Sequence, residues 1–133
     1  YDTDNIFAKI LRGEIPCTGV HETEHCLSFQ DIAPQASVHV LVIPKGAYIS
    51  WADFSANASQ AEQADYVAAI GDTAQALGVD KTGYRILVNH GHDSHQEVPH
   101  LHTHILADQP LGPMLEGGDL PPATDYVRKE GGD

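Results

Sequence analysis

Cations are what this sequence has least of. Seven Lys and Arg residues face 19 Asp and Glu, for a formal charge of −12 with histidine counted neutral. So acidic a chain offers no basic surface for a nucleic-acid backbone. A single bound phosphate is not excluded, because backbone N–H groups, helix N-termini and imidazole hold one without a basic patch. No apolar run approaches the about 20 residues of a membrane-spanning helix, so no membrane partner is expected. Tyr1-Asp2-Thr3-Asp4 lacks the charged-then-apolar pattern of a secretory signal, and a cytoplasmic location is the expectation. Cysteine is limited to Cys17 and Cys26. Two thiols make neither a disulfide framework nor a closed zinc site by themselves, and with His21 and His25 the spacing matches none of the usual zinc arrangements.

What remains is an ordinary globular balance, 41% hydrophobic and 20% charged over 133 residues, the length of one domain. Asp4 to Leu11 reads as a short amphipathic helix capped by Asp4, with Ile6, Phe7, Ile10 and Leu11 on one side and Gly13 at its end. Gly19 to Glu22 and Cys26 to Gln30 alternate like the strands of an antiparallel hairpin, and Val38 to Ile43 is a third, strongly apolar strand with His39 set in it. After a loop carrying Trp51 and Phe54 comes a helix from about Ser59 to Leu77. Its Ala64, Val67, Ala68, Gly71 and Ala74 suggest close packing on the sheet. Tyr84 to Asn89 makes another strand, and the polar loop His90 to Gln96 leads to its antiparallel neighbour. Gly117 to Asp133 has few apolar anchors and is expected to be a flexible tail or a partner contact.

That last strand is the unusual one. In His100-Leu101-His102-Thr103-His104-Ile105-Leu106 the alternation of side chains puts three imidazoles in one row, with same-face neighbours on the order of 6.6 Å apart. Imidazole is a nucleophile, an acid or base and a metal ligand, so the row fits two chemistries. One histidine attacks phosphorus and forms a covalent intermediate, or several hold zinc with an open position for water. Asn89, Gly91 and Gln96 just before the row are neutral donors suited to phosphate; Asp93 and Glu97 are carboxylates suited to supporting metal-bound histidines. Spacing alone separates neither.

Several separated motifs in order, Asp4-Asn5-Ile6-Phe7, Gly13-Glu14-Ile15-Pro16, Phe29 through Ala36, His39 through Lys45, Asn89-His90-Gly91, Gln96-Glu97-Val98 and the histidine row, resemble the histidine triad (HIT) superfamily and its nucleotide-binding (HINT) branch, of prokaryotic type. The resemblance covers roughly residues 3 to 115 and implies a HIT domain over 1–116 followed by the tail 117–133. It implies an α+β fold, an antiparallel sheet of about five strands with one long and one short helix, continued across a homodimer. It implies hydrolysis or transfer at the α-phosphorus of purine nucleoside phosphoramidates or acyl-nucleotides, with no cofactor and no metal. A nucleotide-binding or regulatory module with vestigial activity, a dinucleoside polyphosphate hydrolase and a metal-dependent hydrolase remain as alternatives.

Carried over by position, His102 is the nucleophile, His104 a phosphate and leaving-group contact, His100 a support for the nucleophile and His39 a further member of the cluster. Asn89 touches the phosphate, and Asp31 accepts the ribose hydroxyls. Ile6, Phe7, Ile10, Ile15, Phe29 and Ile32 line the base pocket, with Gln96, Glu97 and Val98 beside the nucleotide. This chain departs from the pattern at three places. Glu97 replaces the small hydroxyl residue of eukaryotic members, Thr103 replaces a hydrophobic residue and should affect packing more than chemistry, and Ala107-Asp108-Gln109 replaces Gly-Gly-Arg near the leaving-group side.

Overall fold

The computed structural model describes residues 1–115, and the expected tail 117–133 lies outside the described residues. Elements run α1 (Ile6–Leu11), β1 (Gly19–Glu22), β2 (Cys26–Gln30), β3 (Val38–Pro44), α2 (Trp51–Asn57), α3 (Gln60–Ala76), β4 (Tyr84–Val88), a 3-10 turn (His92–Ser94) and β5 (Thr103–Ala107). The strands form one antiparallel sheet in the order β1-β2-β3-β5-β4. The hairpin and the α3 limits match expectation, Ser59 and Leu77 being the residues that cap α3. Among the described residues no helix is long and apolar enough to cross a membrane.

Two local expectations are corrected. Asn5, not Asp4, caps α1: it is the extended residue before the helix, and its side chain accepts the Ala8 N–H at 2.9 Å. The stretch with Trp51 and Phe54 is the helix α2 rather than a loop. Ser50 accepts the Asp53 N–H, and the Asp53 carboxylate accepts the Ile49 N–H at 2.8 Å, so both orphan donors are met and Phe54 turns inward.

The sheet has two different faces. Val40, Val42, Thr103 and Ile105 look toward α3, which meets them with Tyr66 and Ala69. Leu41, Ile43 and Phe29 look the other way, toward Phe7 of α1, and by alternation so do His39 and His104. The side of α3 on the sheet is therefore Tyr66, Ala69, Thr73 and Ala74, whereas Ala64, Val67, Ala68 and Gly71 face solvent, contrary to their expected packing. Tyr66 decides the rotation, because its ring fills the core while its hydroxyl reaches the strands behind it. That hydroxyl donates to Val42 O at 3.1 Å, leaving its oxygen to accept from Thr103 Oγ1 at 2.6 Å. Thr103 is thus a packing departure, as expected: its hydroxyl answers a tyrosine.

Tyr66→Phe leaves the buried Thr103 hydroxyl without its partner and is expected to cost about 2 kcal/mol, whereas Thr103→Val leaves Tyr66 bonded to Val42 and costs less than about 1. In urea denaturation the double variant should lose measurably less than the sum of the two; strict additivity would show the hydroxyls to be independent.

Candidate active site

β5 does not carry the whole histidine row. The register pairs Val42 with Thr103, so the next same-face pair would set Leu101 opposite Pro44, which has no N–H to give. The ladder stops there, Leu101 N–H goes to Tyr48 O at 2.9 Å, and the Pro44 carbonyl is taken at 2.8 Å by His100 Nε2. His100 is accordingly buried behind the site and does not face a shared volume with its neighbours. His102 and His104 do, with ring centroids 5.1 Å apart, on the wall of a cavity of about 370 Å³.

The hydrogen bonds assign every ring proton. His100 Nε2 donates to Pro44 O, so its Nδ1 accepts from the Tyr1 hydroxyl. His102 Nδ1 donates to the His100 carbonyl at 2.8 Å, which leaves Nε2 with a free lone pair. His39 Nδ1 accepts the Gln35 N–H at 3.0 Å, so its proton sits on Nε2, which donates to His104 Nδ1 at 2.8 Å. The His104 proton is then on Nε2, a buried atom without a protein partner. One ring holds an unused lone pair on Nε2 and the next an unused N–H.

Burial keeps these rings neutral. It pushes the pKa of His39, His100 and His102 below the ordinary 6.5, and pushes His104 down to about 4, helped by the neighbouring His102 and His39. Phe7 closes on His102 edge-on, with centroids 5.0 Å apart.

The expected pocket residues Ile6, Phe7, Ile10, Ile15, Phe29, Ile32, Asp31, Asn89, Glu97 and Val98 all line the cavity. Ile32 is 90% exposed, which puts it at the mouth rather than inside. Asp31 is at once a turn residue and a site residue: Oδ1 accepts the Ala33 N–H at 2.8 Å and Oδ2 lies 3.4 Å from His39 Nε2. Gln96 is a correction. Its amide is consumed by Gly91 N–H, Ile49 O and Val98 O, so it braces the loop and leaves no donor for a phosphate. Ala107-Asp108-Gln109 are likewise not on the cavity wall; Asp108 takes the left-handed φ of 67°, and Gln109 accepts from Ser37 N and Oγ.

Three residues were not foreseen. Tyr1 reaches His100 from 99 positions away, Gln35 acts through its backbone, and His95, read as a loop residue, lines the cavity and bonds Glu97 at 2.8 Å. Tyr1 acts across 99 positions, whereas Gln35 and His95 act on residues four and two positions away, through a backbone N–H and a left-handed turn that their residue types do not announce.

Asp31, His39 and His104 hold donor atoms within 4.8 Å of one another, a spacing open to a metal ion. The tautomer speaks for a hydrogen-bond relay instead, because His39 turns an N–H, not a lone pair, toward the other two. Cys17 is exposed and Cys26 buried, its thiol pushed up to about 12 by burial, and they form no ligand cluster with His21 and His25 among the described residues.

The HIT domain family model matches residues 12–111. An uncharacterised 13.2 kDa HIT-like protein of Azospirillum brasilense is 58% identical over 118 residues, 89% of this chain and 97% of the relative. The purine nucleoside phosphoramidase of Escherichia coli is 38% identical over 112 residues, 84% of this chain and 93% of the enzyme. Among solved structures, a histidine triad protein from Clostridium difficile superposes with a TM-score of 0.76 at 40% identity, covering 86% of this chain and 99% of that one. The histidine triad nucleotide-binding protein of Candida albicans gives a TM-score of 0.71 at 31% identity, covering 87% of each.

Proposed function

Since this chain belongs to the HIT domain family, we propose that it hydrolyses purine nucleoside phosphoramidates and related nucleotide conjugates at the α-phosphorus, through a nucleotidyl-His102 intermediate. The observation that carries this is the pair of opposite tautomers: a neutral His102 with Nε2 free beside a neutral His104 with Nε2 protonated. His102 Nε2 attacks phosphorus while the bond to the leaving nitrogen breaks; His104 Nε2–H hydrogen-bonds that nitrogen, and water supplies the proton with which it departs as an amine, since neutral His104 would become an anion if it gave up its own. The hydroxide left behind then attacks the phosphorus of the nucleotidyl-histidine, and the His102–phosphorus bond breaks to release the monophosphate and return His102 neutral.

The apolar slot of Phe7, Ile10, Ile15 and Phe29 suits a purine, Asp31 Oδ2 the ribose hydroxyls, and the Asn89 amide the phosphate. Incubation with adenosine 5′-phosphoramidate is expected to give ammonia and the monophosphate, with a nucleotidyl adduct on His102 seen by mass spectrometry after rapid quenching. Tight binding of the monophosphate without turnover would favour a binding module instead.

A homodimer accompanies this reading. β4 is an edge of the sheet, and its Ile86 and Tyr84, on the same face as α3, are 51% and 40% exposed. α3 lies over β1, β2, β3 and β5 and leaves the β4 edge open, while Val67 on its outer side is 71% exposed. An antiparallel edge is self-complementary about a two-fold axis, so a second copy pairs the open strand and covers these side chains at once. Sedimentation is expected to show twice the 14.3 kDa chain mass, and Ile86→Glu to shift it toward one chain; a monomer at all concentrations would refute the pairing.

A further inference from the structure

The cavity wall contains two carboxylates, Asp31 and Glu97, and no Lys or Arg among the described residues. The two acids differ. Asp31 is held by Ala33 N–H and faces His39, with its side chain 19% exposed. Glu97 is 73% exposed and bonded only by His95 Nε2, so its charge faces the open side of the cavity. His95 is fixed for that contact by a left-handed backbone, φ 62°, and by its N–H to His92 O at 3.0 Å.

Nothing in the nucleoside half of the proposed substrate needs Glu97. The base is apolar in its demands, the ribose has Asp31, and an ionised carboxylate gives the phosphate no donor and repels it. The part left over is the leaving group, which must point to solvent as the bond to phosphorus breaks. The geometry points to Glu97, held by His95, as a specificity residue that selects leaving amines carrying a second positive charge and rejects anionic ones. A leaving group bearing an ammonium finds a carboxylate with no competing Lys or Arg on the wall, whereas a polyphosphate or carboxylate tail meets that same charge on a chain of net −12. This rests on the phosphoramidase reading and narrows its substrate class.

The test compares three adenosine 5′-phosphoramidates of one alkylamine, its far end an ammonium, a neutral amide or a carboxylate, the chain long enough that the leaving nitrogen is equally basic in all. Because Glu97 is exposed, each step of the series is expected to change kcat/KM by about fivefold at low ionic strength, in the order ammonium, amide, carboxylate. High salt should flatten the series. Glu97→Gln should bring the ratios close to one and Glu97→Lys should invert them. Each ratio is taken within one variant, so a change in overall activity does not enter it. Equal rates for all three on the unaltered protein overturn the selectivity and leave the phosphoramidase reading standing. A preference that survives Glu97→Gln overturns the assignment to this residue, and no turnover of any member overturns both.

Discussion

His102→Ala is expected to lower phosphoramidate hydrolysis by roughly four to six orders of magnitude, the loss seen when a covalent nucleophile is removed. The prediction is this large because no other ring of the buried histidine cluster replaces the lone pair. His104 carries its proton on Nε2, His39 is occupied by Gln35 and His104, and His100 lies behind the wall with both ring nitrogens engaged. The variant should fold, since His102 makes one side-chain hydrogen bond, to a carbonyl of its own segment. Steady-state kinetics with nucleoside monophosphate binding as the control for the fold decide it: full binding with no turnover and no adduct is the expected outcome, and residual activity within tenfold would make His102 a bystander.

The second large effect belongs to His104. His104→Ala is expected to cost roughly a hundred- to a thousandfold with an amine leaving group, because charge builds on the departing nitrogen before water protonates it and His104 Nε2–H is the hydrogen-bond donor free to meet that charge. With a nitrophenyl ester of the same nucleotide, whose leaving group spreads its charge over the ring and departs unprotonated, the loss should shrink to about tenfold, what remains when the leaving group needs no donor. An equal loss on both substrates would assign His104 to binding alone. The pH dependence follows from the same burial. The folded pKa of each ring is depressed, so both the active tautomers and their contribution to stability are present above the ordinary value of 6.5 and are lost as pH falls through the folded values, about 4 for His104. Activity should therefore hold at pH 6.5 and decline only below it.

Much of this was legible in the residues. The hairpin of β1 and β2, the apolar β3 and the limits of α3 follow from alternation, β-branching and helical spacing. The slot residues and Asp31 arrived by resemblance, and the folded chain gathers them around one cavity. What was not legible has physical causes. α2 has seven residues, too few for a period to emerge, although Ser50 and Asp53 mark its start. The outward side of α3 is as apolar as its inward side, because Val67 and three small residues sit there while Tyr66 and Thr73 satisfy their hydroxyls inside. The histidine row looked uniform because alternation says nothing of where a ladder ends, and here a proline on the neighbouring strand ends it. Glu97 and Thr103 stood out as departures; Thr103 answers to a tyrosine on the helix packed over it, and Glu97 to a histidine two residues before it.

The protons of the site are fixed by main-chain atoms, namely the Gln35 N–H and the carbonyls of His100 and Pro44. Each of these survives nearly any exchange of side chain at its own position, so the chemistry is insulated from point substitution in its supports. Its weak spot is length: one residue inserted or deleted between Asp31 and His39 would move the Gln35 N–H off the ring, free His39 to flip its tautomer, and turn the proton chain around without altering a single catalytic side chain.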